Sequence, residues 1–168
     1  MLPHMNTDWE TRNDEIWAAL DDHEPETFRK LIDDHAAELG ADHPVALFER
    51  ACAWDSTGHS DKAVPLYDRA LALGLDGVRR RRVVIQMASS IRNLGRPEET
   101  LRLLTEERDR SSDELDDAIV VMTAFALADL GREREGLSIL ATAMAAHLPR
   151  YQRSTRNYAR LLVEPTAS

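Results

Sequence analysis

Few side chains in this sequence have the type and spacing that chemistry needs. Cys52 is the single cysteine. It lies inside an apolar helical stretch with no histidine close by in sequence, so it reads as packing rather than as a nucleophile. Three acid–histidine runs, Asp21-Asp22-His23, Asp33-Asp34-His35 and Asp42-His43, carry the donor types that hold zinc or other divalent ions. They fall at a turn, near a helix end and at a helix start, so nothing in the spacing makes them converge. Asp21, Asp22 and Asp42 have simpler uses in turns and caps. There is no Gly-rich phosphate loop, no nucleophile elbow and no helix with paired histidines around a glutamate. The reading is therefore of a protein that is not an enzyme, with no metal site and no cofactor. The basic run Arg79–Arg82 is too short, in too acidic a chain, for a nucleic-acid patch. It follows Gly77 and opens a helix, which suits a solvated turn; a partner site is the alternative.

The chain that must position these residues has 168 residues and a net charge of −9. Bulk attraction to nucleic acid is not expected at that charge. Residues 1–61 hold fifteen acids against four bases, and residues 62–168 fifteen acids against seventeen bases. An acidic first third beside a slightly basic remainder suits a basic partner surface or head-to-tail self-contact, and equally an ordinary solvated face. One cysteine admits no internal disulfide and fits a reducing, cytoplasmic setting. No apolar run reaches the ~20 residues of a membrane span, and no secretory signal is visible. Residues 1–7, with the unusual Met1-Leu2-Pro3-His4-Met5, read as a disordered or cloning-derived start. Residues 165–168 read as a tail, leaving one domain over 8–164.

Apolar residues recur at three- and four-residue steps, as in Phe28, Leu31 and Ile32, in Leu66, Ala70 and Leu73, and in Leu137, Leu140 and Met144. Proline and glycine punctuate this pattern. Pro25, Pro44 and Pro97 open helices, Thr7 with Glu10 and Ser111 with Glu114 suggest capping boxes, and Gly58, Gly95 and Gly131 end helices. The signals predict nine helices, at about 8–21, 25–39, 43–57, 60–74, 78–94, 97–110, 112–130, 133–147 and 150–163. The short connections predict antiparallel hairpins.

The turn glycines are 37 and 36 residues apart, and His23 stands 35 before Gly58. A period in the mid-thirties with two helices per unit marks a helical solenoid. Around Gly58 the unit has Ala51, Trp54, Ala63, Tyr67 and Ala70. Small residues are needed where two helices touch, because larger ones hold the backbones apart. Trp54 and Tyr67 then fill the space between. Around Gly131 stand Ala124, Gly136, Leu140 and Ala143. Around Gly95, Ala88 and Thr100 fit while Glu107 takes a small-residue place. The first pair keeps only the period, with Ile16 and Phe28. In the last helix Tyr151, Thr155, Tyr158 and Leu162 form an apolar stripe suited to closing the array, and Arg150, Arg153, Arg156 and Arg160 a basic one.

This pattern, over roughly residues 9–148, resembles the tetratricopeptide repeat family, in a short bacterial-type form. The resemblance implies an all-α, right-handed α-solenoid of about four helical hairpins plus a C-terminal capping helix. It also implies a concave groove lined by the first helix of each pair, which in this family takes a peptide or protein segment. By register the groove positions are Asn13 and Trp17; Phe48, Cys52 and Asp55; Arg82, Ile85, Gln86, Ser89 and Arg92; and Val121, Phe125 and Asp129. The Lys and Asn pattern of chaperone-docking members is not reproduced. The expected partner is another protein or peptide, with no nucleic acid and no membrane. The competing reading packs Trp17, Phe48, Ile85 and Phe125 against neighbouring helices. A structural homo-oligomer, such as a homodimer joined through repeat ends, and a metal-dependent enzyme are the rival functions.

Overall fold

Pro25, Pro44 and Pro97 each begin a helix, whereas Pro65 lies inside one. The computed structural model describes residues 7–164, and its helices are α1 (Thr7–Ala18), α2 (Pro25–Ala37), α3 (Pro44–Ser56), α4 (Ser60–Ala72), α5 (Gly77–Asn93), α6 (Pro97–Arg110), α7 (Asp116–Asp129), α8 (Glu133–Met144) and α9 (Gln152–Leu161). No strand occurs among the described residues. The expected start (residues 1–6 of it) and the expected 165–168 tail lie outside them.

Gly58, Gly95 and Gly131 all adopt left-handed backbone, with φ of 83°, 76° and 71°. Each closes the same cap. The N–H after the glycine returns to a carbonyl five residues back, His59 to Trp54 at 2.9 Å, Arg96 to Ile91 at 3.2 Å and Arg132 to Leu127 at 2.9 Å. His23, at the equivalent period position, does otherwise. It is extended, at φ −123°, after a 3-10 turn over Leu20–Asp22. A residue with a Cβ does not replace the glycine cap there.

The helices gather into two compact units, which divide between Arg80 and Arg81. In the first, α1 packs on α2, α2 on α3 and α3 on α4. Phe28, Ile32 and Ala53 form a core cluster, covered by Ile16, Trp17 and Leu20. The Trp17 ring meets Phe28 edge-on at 5.1 Å. Ala51, Ala63 and Ala70 are fully buried, as small residues at helix contacts must be. Tyr67 fills the adjacent space and is also fully buried. Trp54 does not join it; it stays partly exposed beside Arg29, His59 and Lys62.

In the second unit α6 packs on α7, α7 on α8 and α8 on α9. Ile85, Ala88, Leu104 and Ile119 form its core, with Leu103, Leu115, Ala118 and Met122 against them. Thr100 fits a small-residue place because its hydroxyl donates to the Ala88 carbonyl at 2.8 Å. Glu107 is buried in its place, at 2% exposure. Two sequence expectations are corrected here. Helix α7 starts at Asp116 rather than near 112, because the Asp113 carboxylate accepts the Leu115 N–H at 2.8 Å and holds residues 113–115 as a turn. Helix α9 does not pack through a tyrosine stripe. Tyr151 and Tyr158 are 76% and 68% exposed, and the buried contact is Ala159, whose carbonyl accepts the Ser138 hydroxyl at 2.7 Å.

Candidate functional site

The five expected groove residues of the first unit are mostly interior. Phe48 is fully buried and Cys52 is 4% exposed, so neither presents a surface to a ligand. Asn13 is likewise buried, and its Oδ1 has no hydrogen-bond partner. Trp17 donates its indole N–H to Glu49 Oε2 at 2.8 Å. Asp55 accepts from the Tyr67 hydroxyl and the Ser60 hydroxyl, each at 3.4 Å. Burial drives the Tyr67 phenol far up, with Cys52 and Asp55 adding to it, so it stays neutral.

The basic run is not a solvated turn. Arg79 grips Glu10 with two nitrogens, at 3.0 and 2.6 Å, and reaches Glu49 at 3.4 Å. Glu10 is thereby engaged by a side chain 69 residues away rather than by a capping box with Thr7. In the second unit Arg81, only 3% exposed, donates to Ser111 at 2.7 Å and Asp116 at 2.5 Å. Its Nε lies 3.1 Å from Asp113, off the hydrogen-bond axis. Those partners sit in the loop before α7 and at its first residue, and no sequence spacing pointed to them.

The acid–histidine runs do not converge either. Among the described residues no three His, Cys, Asp or Glu side chains are grouped to hold a metal ion. His35 is buried and stacks on Trp9 at 4.4 Å. His43 caps α3, its Nδ1 accepting the Val45 N–H at 3.3 Å. Burial, then the charge of Arg79, lowers its pKa and so favours the neutral, accepting ring.

The second unit does bring predicted groove residues together. On α5, Arg82, Gln86, Ser89 and Arg92 recur at helical spacing, with Ile85 turned into the core. On α7, Val121, Phe125 and Asp129 follow at four-residue steps. Arg92 links the two helices. Its Nη2 donates to Asp129 Oδ1 at 3.0 Å, and its Nε approaches Oδ2 to 2.5 Å. Its guanidinium carbon stands 5.3 Å from the centre of the Phe125 ring. Phe125 is 47% exposed, an aromatic face held by a cation that a carboxylate fixes in turn.

No helix among the described residues is long and apolar enough to cross a membrane. No curated protein matches the sequence. Two solved structures share the fold. The nearly identical TPR-like repeats of a Podosopora anserina protein described as a kinesin light chain superpose with a TM-score of 0.69 at 17% identity, over 92% of this chain and 82% of that one. A singly substituted form of the same repeats gives 0.69 at 18% identity, over 95% and 86%. The profile described as Tetratrico peptide repeat matches residues 44–162. With paired helices, glycine caps at a mid-thirties period and buried alanines at the hairpin contacts, this all-α chain belongs to the tetratricopeptide repeat family.

Proposed function

We propose that this protein is a cytoplasmic, non-catalytic binding module that takes a segment of another polypeptide on the α5–α7 strip. Phe125 carries the reading: a large aromatic side chain half in water, under a guanidinium already locked by Asp129. A pre-positioned Arg and aromatic pair is the kind of anchor that dominates protein interfaces, since little freedom remains to be lost on binding. Family membership supports the same role, because repeats of this type commonly bind proteins and peptides. The groove reading narrows to Arg82, Gln86, Ser89, Arg92, Val121, Phe125 and Asp129.

Peptides selected from a display library against the intact protein test this. Binding of the selected peptides falls by about tenfold or more in Phe125→Glu and in Arg92→Ala, and is unchanged in Asp61→Asn on α4. Full-strength binding to both strip variants would end the proposal.

A second reading, self-association through a repeat end, has one observation in its favour. Tyr151, Tyr158, Leu161 and Val163, at the end of the last hairpin, are all exposed. Solution mass that rises with concentration in the unmodified protein and not in Tyr158→Glu supports it; a monomer throughout removes it.

A further inference from the structure

The first unit contains a cleft between α2 and α3 that the polypeptide-binding reading does not use. We propose that the space between α2 and α3 takes an organic anion, its carboxylate or phosphate group on Arg29 and its apolar body against Trp54. The cleft has a volume of about 380 Å³, which falls in the range of small-molecule sites, about 300–1,000 Å³. Ala53 and Trp54 supply apolar surface; Arg29 and Arg50 supply cations.

The charges at its rim pair off and leave Arg29 over. Arg50 Nε binds Asp33 at 2.6 Å, and Lys30 binds Asp34 at 2.5 Å. Asp33 is four residues after Arg29, the spacing at which a helix normally makes an ion pair. It turns to Arg50 instead. Arg29 then has no hydrogen bond or ion pair among the described residues. Its guanidinium carbon lies 4.6 Å over the Trp54 ring, and its Nη1 is cut off from water without an acceptor. A shielded, unmatched N–H is unfavourable, and an oxyanion is the group that fits a guanidinium edge. Lys62, whose Nζ is 4.3 Å from the centre of the same ring, is likewise without a carboxylate partner. Of the charged residues that line the cleft, Glu26 and Arg29 are the two without a partner, and Arg29 alone stands over the indole. Ala53 and the part of the indole that lines the cleft offer apolar surface to the remainder of the ligand.

Phenyl phosphate, benzoate and inorganic phosphate, titrated at fixed ionic strength into isotope-labelled intact protein, test the assignment through the indole N–H resonances of the three tryptophans. Trp54→Phe identifies the relevant one. The expected result is saturable movement of the Trp54 resonance with phenyl phosphate, benzoate or both, and little with inorganic phosphate. Arg29→Gln weakens binding about tenfold, Arg29→Lys weakens it less, and Arg102→Gln, on α6, leaves it unchanged. A flat Trp54 resonance with every probe overturns the proposal. So does undiminished binding in Arg29→Gln, or a response to inorganic phosphate as strong as to phenyl phosphate, which would mean an unselective attraction of ions. None of these outcomes touches the α5–α7 strip, whose own test is peptide capture.

Discussion

Trp17 and Glu49 are joined by a 2.8 Å hydrogen bond between the indole N–H and the carboxylate of a residue that is 3% exposed. The same carboxylate faces Arg79, so one buried acid ties α1, α3 and the start of α5 within the first unit. Truncating it strands two donors. Glu49→Ala should destabilise the protein by about 2–4 kcal/mol, because an unmatched buried donor or charge costs more than its hydrogen bond contributes. Trp17→Phe, which removes only the donor and keeps an aromatic ring against Phe28, should cost about 1 kcal/mol. Urea unfolding of both variants measures the difference, and equal losses would contradict this assignment of Glu49.

Phe48 and Phe125, both expected to line the groove, are opposite in burial. Phe48 is fully buried and Phe125 is 47% exposed. Phe48→Ala should cost about 3–5 kcal/mol, as other buried phenylalanines do. Phe125→Ala should stay within about 1 kcal/mol, its loss limited to partial burial and the Arg92 contact. Denaturation midpoints for the two variants check this directly.

Gly136 is a point of close backbone approach between α8 and α7. A Cβ built on it would stand 2.8 Å from the Ala124 carbonyl oxygen and 3.4 Å from its Cα. Glycine to alanine inside a helix ordinarily gains up to about 1 kcal/mol. Here the obstacle is backbone, which cannot rotate aside, and overpacking of that kind costs about 1–3 kcal/mol. Gly136→Ala should therefore destabilise, reversing the sign expected from propensity. A higher melting temperature for the variant would show that the two helices separate easily.

Three carboxylates are held below their ordinary pKa: Glu38 by the Arg12 hydrogen bond, Asp116 by the Ser112 hydroxyl and then the Asp113 N–H and Arg81, and Glu135 by the Arg132 hydrogen bond. A depressed folded pKa means that the unfolded chain binds more protons around pH 4, so stability rises with pH there. That contribution is complete above the ordinary carboxylate values and is lost as pH falls through the depressed ones. Melting temperature should decline on acidification below about pH 4.5. Arg12→Gln and Arg132→Gln together should flatten the decline slightly, since both pairs are exposed and screened. At the other end, the raised Tyr67 pKa keeps the phenol neutral while folded, so the unfolded chain releases its proton first. Stability therefore falls as pH rises above about 10. Phenolate absorbance should show Tyr67 ionising only as the protein unfolds.

Local signals determined a good deal by themselves. Pro25, Pro44 and Pro97 open helices wherever they stand, and Gly58, Gly95 and Gly131 close them, because those backbone preferences act within one turn. Ala51, Ala63 and Ala70 marked helix contacts because only small side chains let two backbones approach. The regular interval between the caps marked a helical solenoid, and the residues around Gly58 and Gly131 carried the resemblance to the family. Tertiary structure decided whatever depends on which helix covers which face. It sent Phe48 inward and left Phe125 in water, though the repeat pattern had placed both in the groove. It also turned Arg79 and Arg81 from an apparent solvated run into the centres of two ion-pair networks. It separated Trp54 from the hairpin core and left Arg29 upon it without an acid. Ion pairs between residues 30 and 69 positions apart leave no trace in local periodicity, since a charge finds its partner through space and not along the chain.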